Sequence, residues 1–245
     1  MFRPFRKKYW ETPSGQVSNL YKNMSEQTHL LIAGETGSGK SVVINGILST
    51  LMYKTPDEAQ LILIDPKRVE LIHWKSAPHT IYYASEPGEP KQAMLIAMNI
   101  IEKRFKAMQE RGERKSSAGA VYVVIDELAD LMVTAKRDIL PLLQRVCQIG
   151  RAANVHVIAA TQCPLAKVIP TEVKVNFDSI LGLRTATRQH SRNILELPGC
   201  EDLPRYGFGY YRRPEGLSLE QIPMIPDAEI DRLVSHWNRQ KAKIA

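Results

Sequence analysis

No stretch of the chain approaches the roughly 18 uninterrupted apolar residues that a membrane-crossing helix needs, so no intrinsic membrane span is expected. No secretory leader is legible either: Met1–Trp10 is basic and aromatic and lacks the apolar centre of a signal peptide. Cysteine is scarce. Cys147, Cys163 and Cys200 are the only three, and none stands at metal-ligand spacing from another. That excludes a disulfide framework and a thiolate metal site, and points to reduced thiols in a cytoplasmic protein. Internal repeats and long low-complexity tracts are also missing, and 245 residues suit one α/β domain with a large core. No strong charge excess is present: 33 basic and 26 acidic residues leave +7, compatible with a polyanionic partner without demanding one. At 44% hydrophobic and 24% charged residues, the composition is that of an ordinary globular domain.

What the chain does have is alternation. His29–Ala33, Gln60–Asp65, Ala120–Asp126, Val155–Thr161 and Ser179–Leu183 are short, rich in Ile, Val and Leu, and apolar on consecutive positions. Strands covered on both faces read this way. Phe208–Arg212 adds an expected edge strand. Helical periodicity lies between: Lys40–Tyr53, Pro90–Arg111 with a stripe of Ala93, Ala97, Ile100, Ile101, Phe105 and Met108, about Asp138 to Ala153 with Pro141 in the first turn, and Pro226–Ile244. Gly112–Gly119 reads as a flexible loop. The pattern predicts an α/β fold over 28–245, a mostly parallel twisted sheet with helices on both faces. Residues 1–27 read as an arm leading into it.

Gly34-Glu35-Thr36-Gly37-Ser38-Gly39-Lys40-Ser41 matches G-x-x-x-x-G-K-[ST] at every defined position, after an apolar strand and before an apolar-periodic helix. The glycines allow a nest of inward-pointing N–H groups, and the helix N-terminus adds its dipole behind an anion. The run Gly34–Val42 is the expected phosphate-binding segment for ATP. Lys40 is expected at the β- and γ-phosphates, and the Ser41 hydroxyl on Mg²⁺.

The strand at Ala120 ends in two acids, Asp126 and Glu127. Carboxylates at the end of a buried strand are costly unless they meet a cation or a partner. Asp126 is expected in the Mg²⁺ shell, and Glu127 as the base that orients and deprotonates the attacking water. The alternative is that both acids merely cap the next turn. A Glu directly after the Asp argues for ATP hydrolysis rather than phosphorylation of a small molecule.

Five further tags, in order, resemble the motor domain of the FtsK/SpoIIIE family of DNA translocases: Leu63-Ile64-Asp65-Pro66-Lys67, Val124–Met132, Gly150–His156, Ala160-Thr161-Gln162 and Ser191-Arg192-Asn193-Ile194-Leu195. The resemblance runs from about His29 to about Trp237. It implies a RecA-like P-loop NTPase fold and a homohexameric ring with ATP between subunits. It implies an arginine finger at Arg151, reaching a neighbour's γ-phosphate, where the residue alone reads as a surface arginine at a helix end. Thr161 and Gln162 are implied γ-phosphate sensors, although Gln162 alone reads equally as a partner for backbone groups. Lys174, Arg188 and Arg192, with Lys167 and Arg184 nearby, are implied contacts to double-stranded DNA. On charge pattern alone these five are a solvated basic face. Phosphate contacts of this kind carry no sequence preference.

Two positions depart from the family pattern: Cys163 stands where the family has Arg, and His190 where it usually has Asp. With its phosphate loop at Gly34, the chain is expected to be a minimal motor without the family's membrane-spanning region, smaller ring-forming domain or winged-helix DNA reader. Related motors act as coupling or secretion ATPases on protein or nucleoprotein cargo at a membrane channel, and a nucleotide-dependent switch is a third possibility. Intact Glu127 and Arg151 argue against the switch.

Overall fold

The computed structural model describes Leu20 and residues 29–244, apart from 163, 164, 166–168 and 206. The arm expected over 1–27, with Lys167 and Cys163, therefore lies outside the described residues, except that Leu20 is buried in the core. Eight strands form one sheet in the order β3-β2-β4-β5-β1-β6-β7-β8. They are β1 (His29–Ala33), β2 (Ala59–Ile64), β3 (Thr80–Ala84), β4 (Ala120–Ile125), β5 (Val155–Thr161), β6 (Ser179–Leu183), β7 (Phe208–Arg213) and β8 (Gly216–Gln221). The first six in spatial order are parallel; β7 and β8 add an antiparallel hairpin at one edge.

The central strands are buried along their whole length, the property their unbroken Ile, Val and Leu runs require. Successive side chains leave opposite faces of a strand, and two separate cores result. On one face, Leu30, Ile32, Leu61, Leu63, Tyr122 and Val124 meet α1 (Lys40–Leu51) and the final helix (Asp227–Ile244). On the other, Leu31, Ile62, Ile64, Val123 and Ile125 meet α2 (Glu89–Arg111), α3 (Leu128–Thr134), α4 (Lys136–Ile149) and α6 (Arg188–Leu195). A single turn, α5 (Thr171–Lys174), precedes β6, and the final helix is α7. Among the described residues no helix is long and apolar enough to cross a membrane.

The structure corrects several expected boundaries. Phe208–Arg213 is not an edge strand: Gly216–Gln221 pairs outside it through the tight Pro214-Glu215 turn. That strand exposes Leu217 and Leu219, so its pattern carries no core signal. Thr80–Ala84, the other edge, is only partly buried and was equally silent. The helix expected from Asp138 runs from Lys136 and ends at Ile149, placing Pro141 in its second turn. Gly150 ends it because the chain folds onto itself there: a Cβ would lie 2.5 Å from the Val146 carbonyl oxygen and 2.6 Å from that of Val155. Arg151 consequently stands in a turn.

His29 opens β1 with its backbone N–H on Asp178 (2.8 Å) and its Nδ1 accepting the Val157 N–H (3.0 Å). Burial pushes its imidazole down to about 4. A pKa lower in the folded than in the unfolded chain means the unfolded chain takes up the proton first as pH falls. The stabilisation is present above about pH 6.5 and lost between there and about 4, an effect of order 3 kcal/mol. Thermal denaturation should therefore show a melting temperature that falls through this window, with a shallower fall in His29→Asn; equal slopes would place the titration elsewhere.

Candidate nucleotide site

Because β1, β2, β4 and β5 run in parallel, the residues that follow them emerge at one edge of the sheet. The loop Gly34–Gly39 follows β1, Asp65 follows β2, Asp126 and Glu127 follow β4, and Gln162 follows β5. The loop is held by backbone bonds from Gly34 N–H to the Thr161 carbonyl (3.2 Å) and from Glu35 N–H to the Arg184 carbonyl (2.9 Å). Gly39 sits at φ 102°, and a Cβ on Gly34 would lie 2.6 Å from Ser38 Oγ, so neither position accepts a side chain. No side chain caps α1, leaving its first N–H groups for an anion. Lys40 is buried and folds back, donating to the carbonyls of Gly34 and Glu35 (2.9 Å each). Burial lowers its pKa to about 8, against the pull of Glu127, Asp126 and Glu70. Ser41 and Val42 are half-buried in the first turn of α1, and Val42 packs on the core below.

Glu127 caps α3 through the Ala129 N–H (3.3 Å), the capping role weighed from sequence, and also accepts the Gln162 backbone N–H on both oxygens (3.0 and 3.1 Å). The Gln162 side chain accepts from the Thr36 hydroxyl (2.8 Å). A continuous path of hydrogen bonds thus joins the loop, the end of β5 and the carboxylate after β4. Lys67 Nζ lies 3.9 Å from Glu127 and 3.3 Å from Asp130.

Asp65, which has no sequence-assigned role, completes this end of the sheet. Asp65 is fully buried; its Oδ2 accepts the Leu71 N–H (3.0 Å) and the Tyr83 hydroxyl (3.1 Å), while its Oδ1 has no partner. The register that pairs Ile64 with Ile125 sets it beside Asp126. Burial, then Asp65, Glu70 and Glu127, push the Asp126 carboxyl up to about 7. An unpartnered buried carboxylate oxygen next to a carboxyl so reluctant to ionise is an environment that a hard cation would relieve. Ser41 and Asp126 fit Mg²⁺, which takes only one or two protein oxygens alongside phosphate and water. This agrees with the lack, among the described residues, of a three-ligand metal cluster. The signal for Asp65 was its place at the end of an apolar strand, the same signal that singled out Asp126.

The other expected residues divide. Arg151 stands at the opposite edge of the sheet, before β5, and is exposed. Lys174 reaches the Asn193 carbonyl (2.6 Å), so α5 and α6 lie together and bring Lys174, Arg188 and Arg192 onto one surface. Arg188 is 4.0 Å from Glu201. Arg184 does not join them. Its guanidinium donates to Glu35 (3.2 Å) and to the Leu203 carbonyl (2.6 Å), a brace for the phosphate loop forced by the pairing of β6 with β1.

Removing the Asp65 carboxylate leaves the buried Leu71 N–H unmet, at about 1–3 kcal/mol, and the half-buried Tyr83 hydroxyl without its acceptor. Asp65→Ala should lower the melting temperature by at least about 4 °C, and Tyr83→Phe by clearly less. Equal, small shifts would mean that Asp65 does not hold the 66–71 turn.

The fold and sequence both have relatives. The pCW3 conjugation coupling protein TcpA, solved with ATPγS, superposes with a TM-score of 0.77 at 24% identity, covering 95% of this chain and 73% of that one. The cytoplasmic domain of the Type VII secretion ATPase EccC of Thermomonospora curvata gives 0.72 at 22% identity, covering 86% and 28%. These likenesses establish the P-loop ATPase fold. The DNA translocase SpoIIIE of Bacillus subtilis is 34% identical in an alignment 245 positions long, gaps included, that covers 90% of this chain and 31% of the relative. The chain thus spans about a third of the length of that relative. The model of the FtsK/SpoIIIE family matches residues 12–120 and 103–166. The phosphate loop and the paired acids each follow a strand of the parallel part of the sheet, and the sequence match shows that the chain belongs to the FtsK/SpoIIIE family.

Proposed function

We propose that the chain is an ATP-driven DNA translocase motor: copies form a hexameric ring, bind Mg-ATP between neighbours, and couple its hydrolysis to loops that move double-stranded DNA through the centre. The observation that carries this reading is the division of one catalytic set between two edges of the sheet. Gln162 and Glu127 stand at the exit of β5 and β4, while Arg151 stands before β5. A strand of seven residues separates the two edges by about 20 Å. Arg151 cannot reach phosphates on its own loop, and a head-to-tail neighbour resolves the mismatch.

The phosphates enter the nest of Gly34–Ser41, and Lys40 exchanges the carbonyls of Gly34 and Glu35 for phosphate oxygens. Ser41 and Asp126 would hold Mg²⁺, which would neutralise charge at the phosphates. Glu127 takes the proton of the attacking water, and Arg151 of the neighbour meets charge that develops in the transition state. Thr36, Thr161 and Gln162 sense the γ-phosphate; its loss alters the Thr36–Gln162–Glu127 path at the head of the segment leading to α5. Lys174, Arg188 and Arg192, with Lys167, grip DNA phosphates. Arg184 braces the loop instead.

Cys163, in place of the family's Arg, favours a second reading: a coupling or secretion ATPase for protein or nucleoprotein cargo at a membrane channel. Steady-state ATPase with and without linear duplex DNA at two salt concentrations separates them. Strong stimulation that fades with salt is expected; ATPase indifferent to DNA would sink the translocase and leave the cargo reading. Glu127→Gln should bind ATP and turn over at least about 100-fold more slowly. Arg151→Ala should bind ATP normally and lose about 10³-fold in turnover, and wild-type rates in either would remove that residue from the mechanism. Arg192→Ala should reduce the salt slope of DNA affinity by about one phosphate contact.

A further inference from the structure

We infer that Arg114 and Lys115 act together with Arg151 as a cationic cradle for the polyphosphate held by the phosphate loop of a neighbouring copy of this chain. This rests on the ring reading above. All three side chains line one cavity of about 370 Å³ whose walls include Phe105 and Ile149. All three are exposed, and none has an ion-pair or hydrogen-bond partner among the described residues.

The loop does not drift beside Arg151 by chance. Ser116 N–H donates to the Ala152 carbonyl (2.8 Å), and the Asn154 side chain donates to Ala118 (2.9 Å). The Arg104 guanidinium ties both segments together, donating to Ala153 (2.7 Å), Asn154 (3.1 Å) and Gly119 (2.7 Å). The segment expected to be a flexible loop is thus bound by backbone hydrogen bonds to the turn that carries Arg151. Three like charges that line one hollow repel each other, and an anion placed among them relieves that repulsion. The chain's own phosphate loop is at the far edge of the sheet, about 20 Å away, so the anion comes from outside. A triphosphate carries enough charge to engage all three, with the planar arginines taking paired oxygens and the lysine acting as a point charge.

The test is single-turnover ATP hydrolysis on duplex DNA by mixed rings. The double variant Arg114→Ala/Lys115→Ala alone should hydrolyse at least about 10-fold more slowly, yet bind a fluorescent ATP analogue at low protein concentration as the wild type does. The charge-conserving swap Arg114→Lys/Lys115→Arg should keep most activity. Mixed in equal amounts with Lys40→Ala, which lacks a working loop but keeps its cations, the double variant should recover activity at about a quarter of the interfaces. Arg151→Ala mixed with Lys40→Ala is the control. A wild-type rate for the double variant, or recovery in the control alone, overturns the cradle and leaves the ring. Recovery in neither mixture overturns the ring reading and this inference with it.

Discussion

Five parallel pairings hold six strands in a common direction, and the chemistry of the molecule depends on that alignment. A parallel sheet collects every strand exit at one edge, where backbone groups leave the ladder and buried apolar sequence gives way to polar residues. Gly34, Asp65, Asp126 and Gln162 are far apart in sequence and adjacent in space for this reason alone. The same alignment sends Arg104, Arg151 and the 112–119 loop to the other edge. Strand direction therefore places Arg151 about 20 Å from the phosphate loop of its own chain.

Electrostatics at the exit edge are unbalanced. Burial, with Asp65, Glu70 and Glu127 close by, pushes the Asp126 carboxyl up to about 7, against the pull of Lys67. At the opposite edge Arg114, Lys115 and Arg151 line one hollow, while Asp57 and Glu58 line another beside Gly119. Within the chain, Glu127 is satisfied meanwhile by the backbone N–H groups of Ala129 and Gln162. These backbone donors hold the Glu127 carboxylate in one orientation.

Much of this was legible in the sequence. The five apolar runs are strands in the structure, with ends shifted by a single residue at β2 and β4, because full burial on two faces demands continuous Ile, Val and Leu. The edge strands were not: Thr80–Ala84 and Gly216–Gln221 are half solvated, so periodicity and hydrophobicity both fade there. The short helices α3, α5 and α6 were missed for a related reason, since each is set by a cap or a tertiary contact rather than by an apolar stripe. Glu127 caps α3 and Thr187 caps α6.

The sequence by itself determined the phosphate loop, the acid pair after β4 and the α/β layering, because each is a local pattern: residue types at fixed spacing, or an apolar run whose period declares its burial. Only the tertiary structure decided which cations belong together. Arg184 and Arg188 are near neighbours in sequence, yet β6 lies against β1 and carries Arg184 to the phosphate loop, while Arg188 follows α6 to the surface shared with Lys174 and Arg192. Asp65 gained its place beside Asp126 from inter-strand register, and Arg114 its place beside Arg151 from hydrogen bonds across residues 104–154. A charged side chain carries little local signal about its partner. Its meaning is fixed by what strand order and register bring within reach.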